Sequence, residues 1–159
     1  MKTRLSIAAL TALASTTATF AQVAAVSPVP DFSTTTAVTA GSWAYQSVAG
    51  GSNARFIDTG GIARLILQCT RATRTVTIAQ TSAAPSATLL VWTSSMSRSL
   101  PSKFEANAMR VAAQLTMMDP LLDAIAFSRG RIAVQLAGSP ALVVPTSPEA
   151  ARIVEDCRS

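Results

Sequence analysis

The chain has 159 residues, 13 Lys+Arg against 8 Asp+Glu, no histidine and two cysteines, and 30 alanines supply much of its 49% hydrophobic share. This length and composition suit one globular domain rather than a disordered or collagen-like chain. The missing histidine excludes Ser-His-Asp and Cys-His catalysis and His-ligated metal, and two cysteines cannot form a four-thiolate zinc site.

The first segment reads as a secretory signal peptide, residues 1–21. Lys2 and Arg4 form a positive start, Leu5 to Ala14 a mostly apolar run, and Ser15 to Ala21 a small-residue stretch with the cut after Ala21. The apolar run falls well short of the roughly 20 residues of a membrane span. Cleavage leaves 138 residues and lowers the formal charge from +5 to +3. No cysteine lies beside the cut to carry a lipid, and neither Asn53 nor Asn107 stands in a glycosylation sequon. The expectation is a periplasmic or secreted protein. In an oxidising compartment Cys69 and Cys157 read as a disulfide joining a mid-domain strand to the C-terminus. Chain entropy puts a loop of that size at roughly 4–5 kcal/mol before native strain is subtracted. The rival reading, a reactive thiol, lacks a histidine partner or a Cys-x-x-Cys spacing.

Residues 22–40, with Pro28, Pro30 and a Ser-Thr-Thr-Thr run, read as a flexible lead-in, and the domain as 41–159. Alternation in twos then dominates. Trp43 and Tyr45 share a strand face near 42–48, and the cluster Gly50 to Asn53 turns the chain into Ala54–Ile57. After Gly60-Gly61, Leu65, Leu67 and Cys69 face one way in a strand over 63–69. The basic turn Thr70 to Arg74 leads to Val76 and Ile78 in a hairpin partner. Ala87–Thr93 is continuously apolar, which predicts a strand buried on both faces. Residues 104–118 fit a strand through Met109, Val111, Ala113, Leu115 and Met117, with a helix as the alternative. Asp119-Pro120 starts a short helix and Ser128-Arg129-Gly130 ends it. Arg131–Ala137 and Ala141–Val144 read as strands joined at Gly138-Ser139 by a type II′ turn or a slightly longer loop, and Pro145 marks an edge. Ser147-Pro148-Glu149 opens a C-terminal helix whose Ile153, Val154 and Cys157 dock on the sheet. The fold class is α+β, mainly β: a small β-sandwich-like domain with one short internal helix and a C-terminal helix.

Candidate chemistry is sparse, and no catalytic or metal-binding set is assigned. Asp119 and Asp123 stand four apart, as a carboxylate pair would, but capping and the helix dipole explain them better. Arg71, Arg74, Arg129 and Arg131 lie in turns and are the candidate anion-binding residues, because guanidinium suits phosphate and carboxylate. An anionic envelope polymer of the lipopolysaccharide type is their natural partner. Aromatics at 5% argue against nucleic acid.

A leader, then Trp43, then Ala63-Arg-Leu-Ile-Leu-Gln-Cys69 with Arg74-Thr-Val-Thr-Ile78, and last Pro148 through Cys157, resembles small proteobacterial periplasmic proteins. The pattern over 41–159 is distantly similar to the invasion-associated locus B and VasI-like β-sandwich groups, with an early Trp before a strand ending in Cys and a late second Cys. The resemblance implies a non-enzymatic envelope role and supports the same two disulfide positions. Gly51-Ser-Asn-Ala-Arg-Phe56 is also similar to the loop that periplasmic C-type lysozyme inhibitors insert into an enzyme cleft, with Phe in place of Tyr. The expectation from residues and resemblance together is an exported binding or accessory protein of the bacterial envelope, without catalysis or cofactor. The alternatives are a polyanion binder, a periplasmic enzyme or an enzyme inhibitor.

Overall fold

The computed structural model describes residues 37–159, so the signal peptide and most of the lead-in lie outside the described residues. Ten strands and two helices follow in chain order. The strands β1 (Gly41–Val48), β2 (Gly51–Asp58), β3 (Ala63–Thr70) and β4 (Thr75–Thr81) form an antiparallel meander. Next come β5 (Thr88–Trp92), β6 (Ser97–Pro101) and β7 (Lys103–Glu105), then a 3₁₀ turn over Ala106–Ala108 and β8 (Arg110–Thr116). Helix α1 (Pro120–Ala126), β9 (Arg131–Leu136), β10 (Leu142–Pro145) and helix α2 (Pro148–Arg158) complete the fold. A six-stranded sheet has the order β1-β2-β3-β4-β8-β7, and a four-stranded sheet the order β10-β9-β5-β6. Every pairing is antiparallel. The fold is mainly β and sandwich-like, as the alternation in the sequence implies.

Most strands bury the phase their sequence assigns to the core. Phe56, Leu65, Leu67, Cys69, Val76, Ile78, Val111 and Leu115 come from the larger sheet, and Leu89, Val91, Leu100, Ile132, Val134 and Leu136 from the smaller. Leu121, Leu122 and Ile125 of α1 and Ile153, Val154 and Cys157 of α2 join the same core. Helix α2 lies against β1 to β4 and against α1. Both helices start on the capping devices of the sequence: Asp119 accepts from Leu121 N–H and Ser147 from Ala150 N–H, each followed by Pro.

The two sheets are joined along both sides. On one, Ser102 alone separates β6 from β7, so the chain passes directly from the small sheet into the large one. On the other, the Trp43 indole N–H donates to Pro145 O at 2.8 Å, and Thr39 N–H donates to Val143 O at 2.7 Å. The edge strand β10 is therefore partly covered, which limits pairing with a foreign strand. Thr39 belongs to the segment read as lead-in, so the chain contacts the domain before Gly41.

Three expectations need correction. Strand β5 is not buried on both faces: Leu89 and Val91 are buried, Leu90 and Trp92 half-buried and Thr88 exposed. An antiparallel sheet can leave its outer face partly in water, and that is the position of Leu90. The Gly50–Asn53 turn is shorter than expected, because β2 begins at Gly51 and only Ala49 and Gly50 connect it to β1. A Cβ on Gly51 would collide with the Cys69 carbonyl, so glycine there permits close strand approach. Residues 104–118 divide into β7, the 3₁₀ turn and β8. Met109 sits at φ 47° and is half exposed instead of sharing the Val111 face. The strand alternative thus holds for 110–116.

Candidate functional site

The Cys69–Cys157 disulfide is formed, with Cα atoms 5.4 Å apart and the partners 88 positions apart in sequence. It fastens the last turn of α2 to the end of β3, both buried. Among the described residues no cysteine is free. The disulfide anchors a polar cluster where α2 crosses the first two strands. Tyr45 Oη donates to Asp156 Oδ2 at 2.7 Å, and the Arg152 guanidinium lies 4.3 Å from the Tyr45 ring centroid. Arg71 Nε donates to Asp156 O at 3.4 Å. Ser52, paired with Cys69 across the ladder, is fully buried without a well-formed side-chain hydrogen bond. Burial pushes the Asp156 carboxyl up. The polar hydroxyls of Ser52 and Tyr45, of which Tyr45 makes the formed hydrogen bond, and the charges of Arg152 and Arg71 more than offset that and hold it below the ordinary carboxylate value.

The four candidate arginines do not form one site. Arg71 and Arg74 share the β3–β4 turn, where Arg74 N–H donates to Arg71 O at 3.1 Å. Arg74 takes φ 52°, and its Nε reaches Met117 Sδ at 3.1 Å. Arg129 lies in the α1–β9 turn and Arg131 opens β9. There Arg129 N–H donates to Ser94 Oγ at 2.9 Å, Ser128 Oγ donates to Arg131 O at 2.9 Å, and Thr146 N–H donates to Gly130 O at 3.2 Å. One pair edges the large sheet beside the C-terminal half of α2; the other precedes the small sheet near the start of α2.

Acids neutralise several of the remaining arginines, which sequence reading did not foresee. Arg98 Nη2 donates to both Asp119 carboxylate oxygens at 2.8 and 2.7 Å. Arg158 grips Asp123 end-on, Nη1 and Nη2 donating to its two carboxylate oxygens at 2.6 and 3.0 Å, while its Nε donates to Met117 O at 3.0 Å. Arg110 Nε meets Glu105 at 2.6 Å. The hydrogen bonds from Arg158, against a smaller effect of burial and aided by its charge, hold the Asp123 carboxyl below its ordinary value. Asp119 and Asp123 thus each face a different arginine and not one another. No sequence spacing signals the Asp119 and Asp123 pairs, which join residues 21 and 35 positions apart.

A cavity of about 390 Å³ opens at the end of the sandwich remote from the disulfide. Its walls include Arg64 of β3, Gln80 of β4, Leu136 of β9, Leu142 of β10, Thr39 and Ser139. Gln80 pairs with Leu65 and with Val111, so it continues the inward phase of Val76 and Ile78. It is only 8% exposed, and its Oε1 has no hydrogen-bond partner. That polar residue in an apolar phase was legible in the sequence one position pair beyond Ile78. Among the described residues no group of three metal-ligating side chains occurs, and no helix is long and apolar enough to cross a membrane.

Comparison with known proteins places no relative beside this arrangement: no protein family matches the chain, nor does any curated protein or solved structure.

Proposed function

We propose that the chain is an exported binding or accessory module of the bacterial envelope, matured in an oxidising compartment and working through contacts rather than through a catalytic centre. The observation that carries this reading is the disulfide between Cys69 and Cys157, buried at both ends and joining β3 to the terminal helix. Such bonds persist where thiols are not kept reduced. The positively charged, then apolar, then small-residue start of the sequence supports the same compartment. Phe127, 79% exposed at the end of α1, and the exposed Met118 before it offer apolar contacts for a partner protein.

Two measurements test the proposal. Mass spectrometry of the protein recovered from an envelope fraction is expected to show residues 22–159 with both cysteines oxidised; two free thiols or an uncut leader would overturn export. Capture experiments with the oxidised protein are then run on envelope extract at low and high salt. A protein partner retained at high salt and lost in Phe127→Ser supports the accessory role. Capture of anionic polymer at low salt only would transfer the function to the arginines. The structure favours that second reading less, because Arg71 and Arg152 already flank Asp156 and the two turn pairs are separate.

A further inference from the structure

We propose that the cavity at the open end of the sandwich binds a small carboxylic acid with a hydrogen-bond donor on a neighbouring carbon, Gln80 accepting from that donor and Arg64 holding the carboxylate. This inference goes beyond the accessory reading and is independent of export and of any partner protein.

The argument begins with Gln80. A buried amide carbonyl without a partner costs on the order of 1–3 kcal/mol, and an apolar residue at this inward position would avoid that cost. Its neighbours across the ladder, Leu65 and Val111, show what the core phase otherwise contains. Yet this is the one inward β4 position that lines the cavity. In the structure Oε1 is itself shielded from solvent, and the last torsion of a glutamine is broad, so a turn of the amide is the motion that brings the carbonyl to the cavity. What it then requires is a donor.

Arg64 supplies the second requirement. Its Nε stands 3.7 Å from Asp58 Oδ2, beyond hydrogen-bond length, and its side chain is 46% exposed. Asp58 is turned towards its own loop, its Oδ1 accepting from Gly60 N–H at 2.9 Å and Ile62 N–H at 3.0 Å. The guanidinium keeps its fork of donors for a carboxylate, which it matches in a two-point contact. Thr39 and Ser139 add polar residues to the wall, and Leu136 and Leu142 apolar ones. A volume of about 390 Å³ is at the small end of ligand pockets. A lone water would satisfy Gln80 but would give the Arg64 fork no anion.

The test is calorimetry on the oxidised protein with four probes: D-gluconate and L-serine, which carry carboxylate and donor; D-glucose, which lacks the carboxylate; and acetate, which lacks the donor. Gluconate or serine is expected to saturate one site, with glucose and acetate at least about tenfold weaker. Arg64→Gln is expected to lower that affinity about tenfold. Gln80→Leu is expected to abolish binding without lowering Tm, because an orphaned amide is replaced by an apolar group of similar size. In the unaltered protein the Gln80 side-chain amide resonances should shift with saturation, a readout that survives if Gln80→Leu does not fold. The proposal is overturned if neither acid binds up to about 10 mM. It also fails if all four probes bind alike, or if the Gln80 resonances stay in place while an acid binds.

Discussion

At the scale of single residues, charge is arranged in local contacts and not in a field. Asp156 accepts from Tyr45 and feels the charges of Arg71 and Arg152. Asp123 is held by Arg158. Both carboxyls titrate lower in the fold than in the unfolded chain. Their contribution is therefore complete above the ordinary carboxylate range and disappears as pH falls through the lowered values. Urea midpoints at pH 7 and at about pH 3 should show the loss. Asp156→Asn is expected to reduce stability at pH 7 while flattening the acid limb of the profile. For Asp123, whose side chain is 45% exposed, solvent screening limits the effect to about 1 kcal/mol or less. An acid limb unchanged in Asp156→Asn would show that Tyr45 and the arginines do not stabilise its charged form.

At the scale of elements, the two helices are short and depend on their ends. Helix α1 has seven residues, too few to be stable alone, so its cap and its buried Leu121, Leu122 and Ile125 define it. Ser147→Ala removes a single cap bond from α2 and is expected to cost about 1 kcal/mol. Asp119→Ala is expected to cost more, because it also leaves Arg98 without the carboxylate it holds at 2.7 Å. Asp119→Asn keeps the cap and loses the charge, so denaturant midpoints for the three variants separate the two contributions. The strands follow a different logic. Their inward residues are set by alternation, but their partners are set by the chain path. Trp43→Phe keeps the ring that meets Phe56 edge-on at 5.7 Å and deletes the bond to Pro145, with an expected loss of about 1 kcal/mol. A larger loss would mean that β1 and β10 depend on this bond to stay joined.

At the scale of the whole molecule, the disulfide is the longest-range constraint. It joins residues 88 positions apart and binds the terminal helix to the sheet beneath it. Replacing both cysteines by serine is expected to cost about 2–5 kcal/mol. In hydrogen exchange, α2 should lose protection before the β3–β4 hairpin, because the helix is otherwise held by side-chain packing while the strands keep their ladders. Equal loss across both elements would make α2 part of a single cooperative unit with the sheet.

Much of this architecture was legible without coordinates. Period-two alternation placed Leu65, Leu67 and Cys69, and Val76 and Ile78, on the core face, and Asp-Pro and Ser-Pro marked both helix starts. These signals are local: a strand's phase and a helix cap involve residues within a few positions of one another. The cysteine pair was legible by count, because two thiols allow only one bond between them. The tertiary structure alone decided which sheet each strand entered, that Ser102 and Trp43 join the two sheets, and that Arg158 meets Asp123 while Tyr45 meets Asp156. Those contacts depend on where the sandwich closes, and Tyr45 and Asp156 are 111 positions apart. The cavity shows the division most clearly. Gln80 stands out in the sequence as a polar residue in an apolar phase, but only the approach of β9, β10 and Thr39 makes its surroundings a cavity. A chain encodes the phase of each residue locally, whereas a site between sheets forms only when distant segments pack.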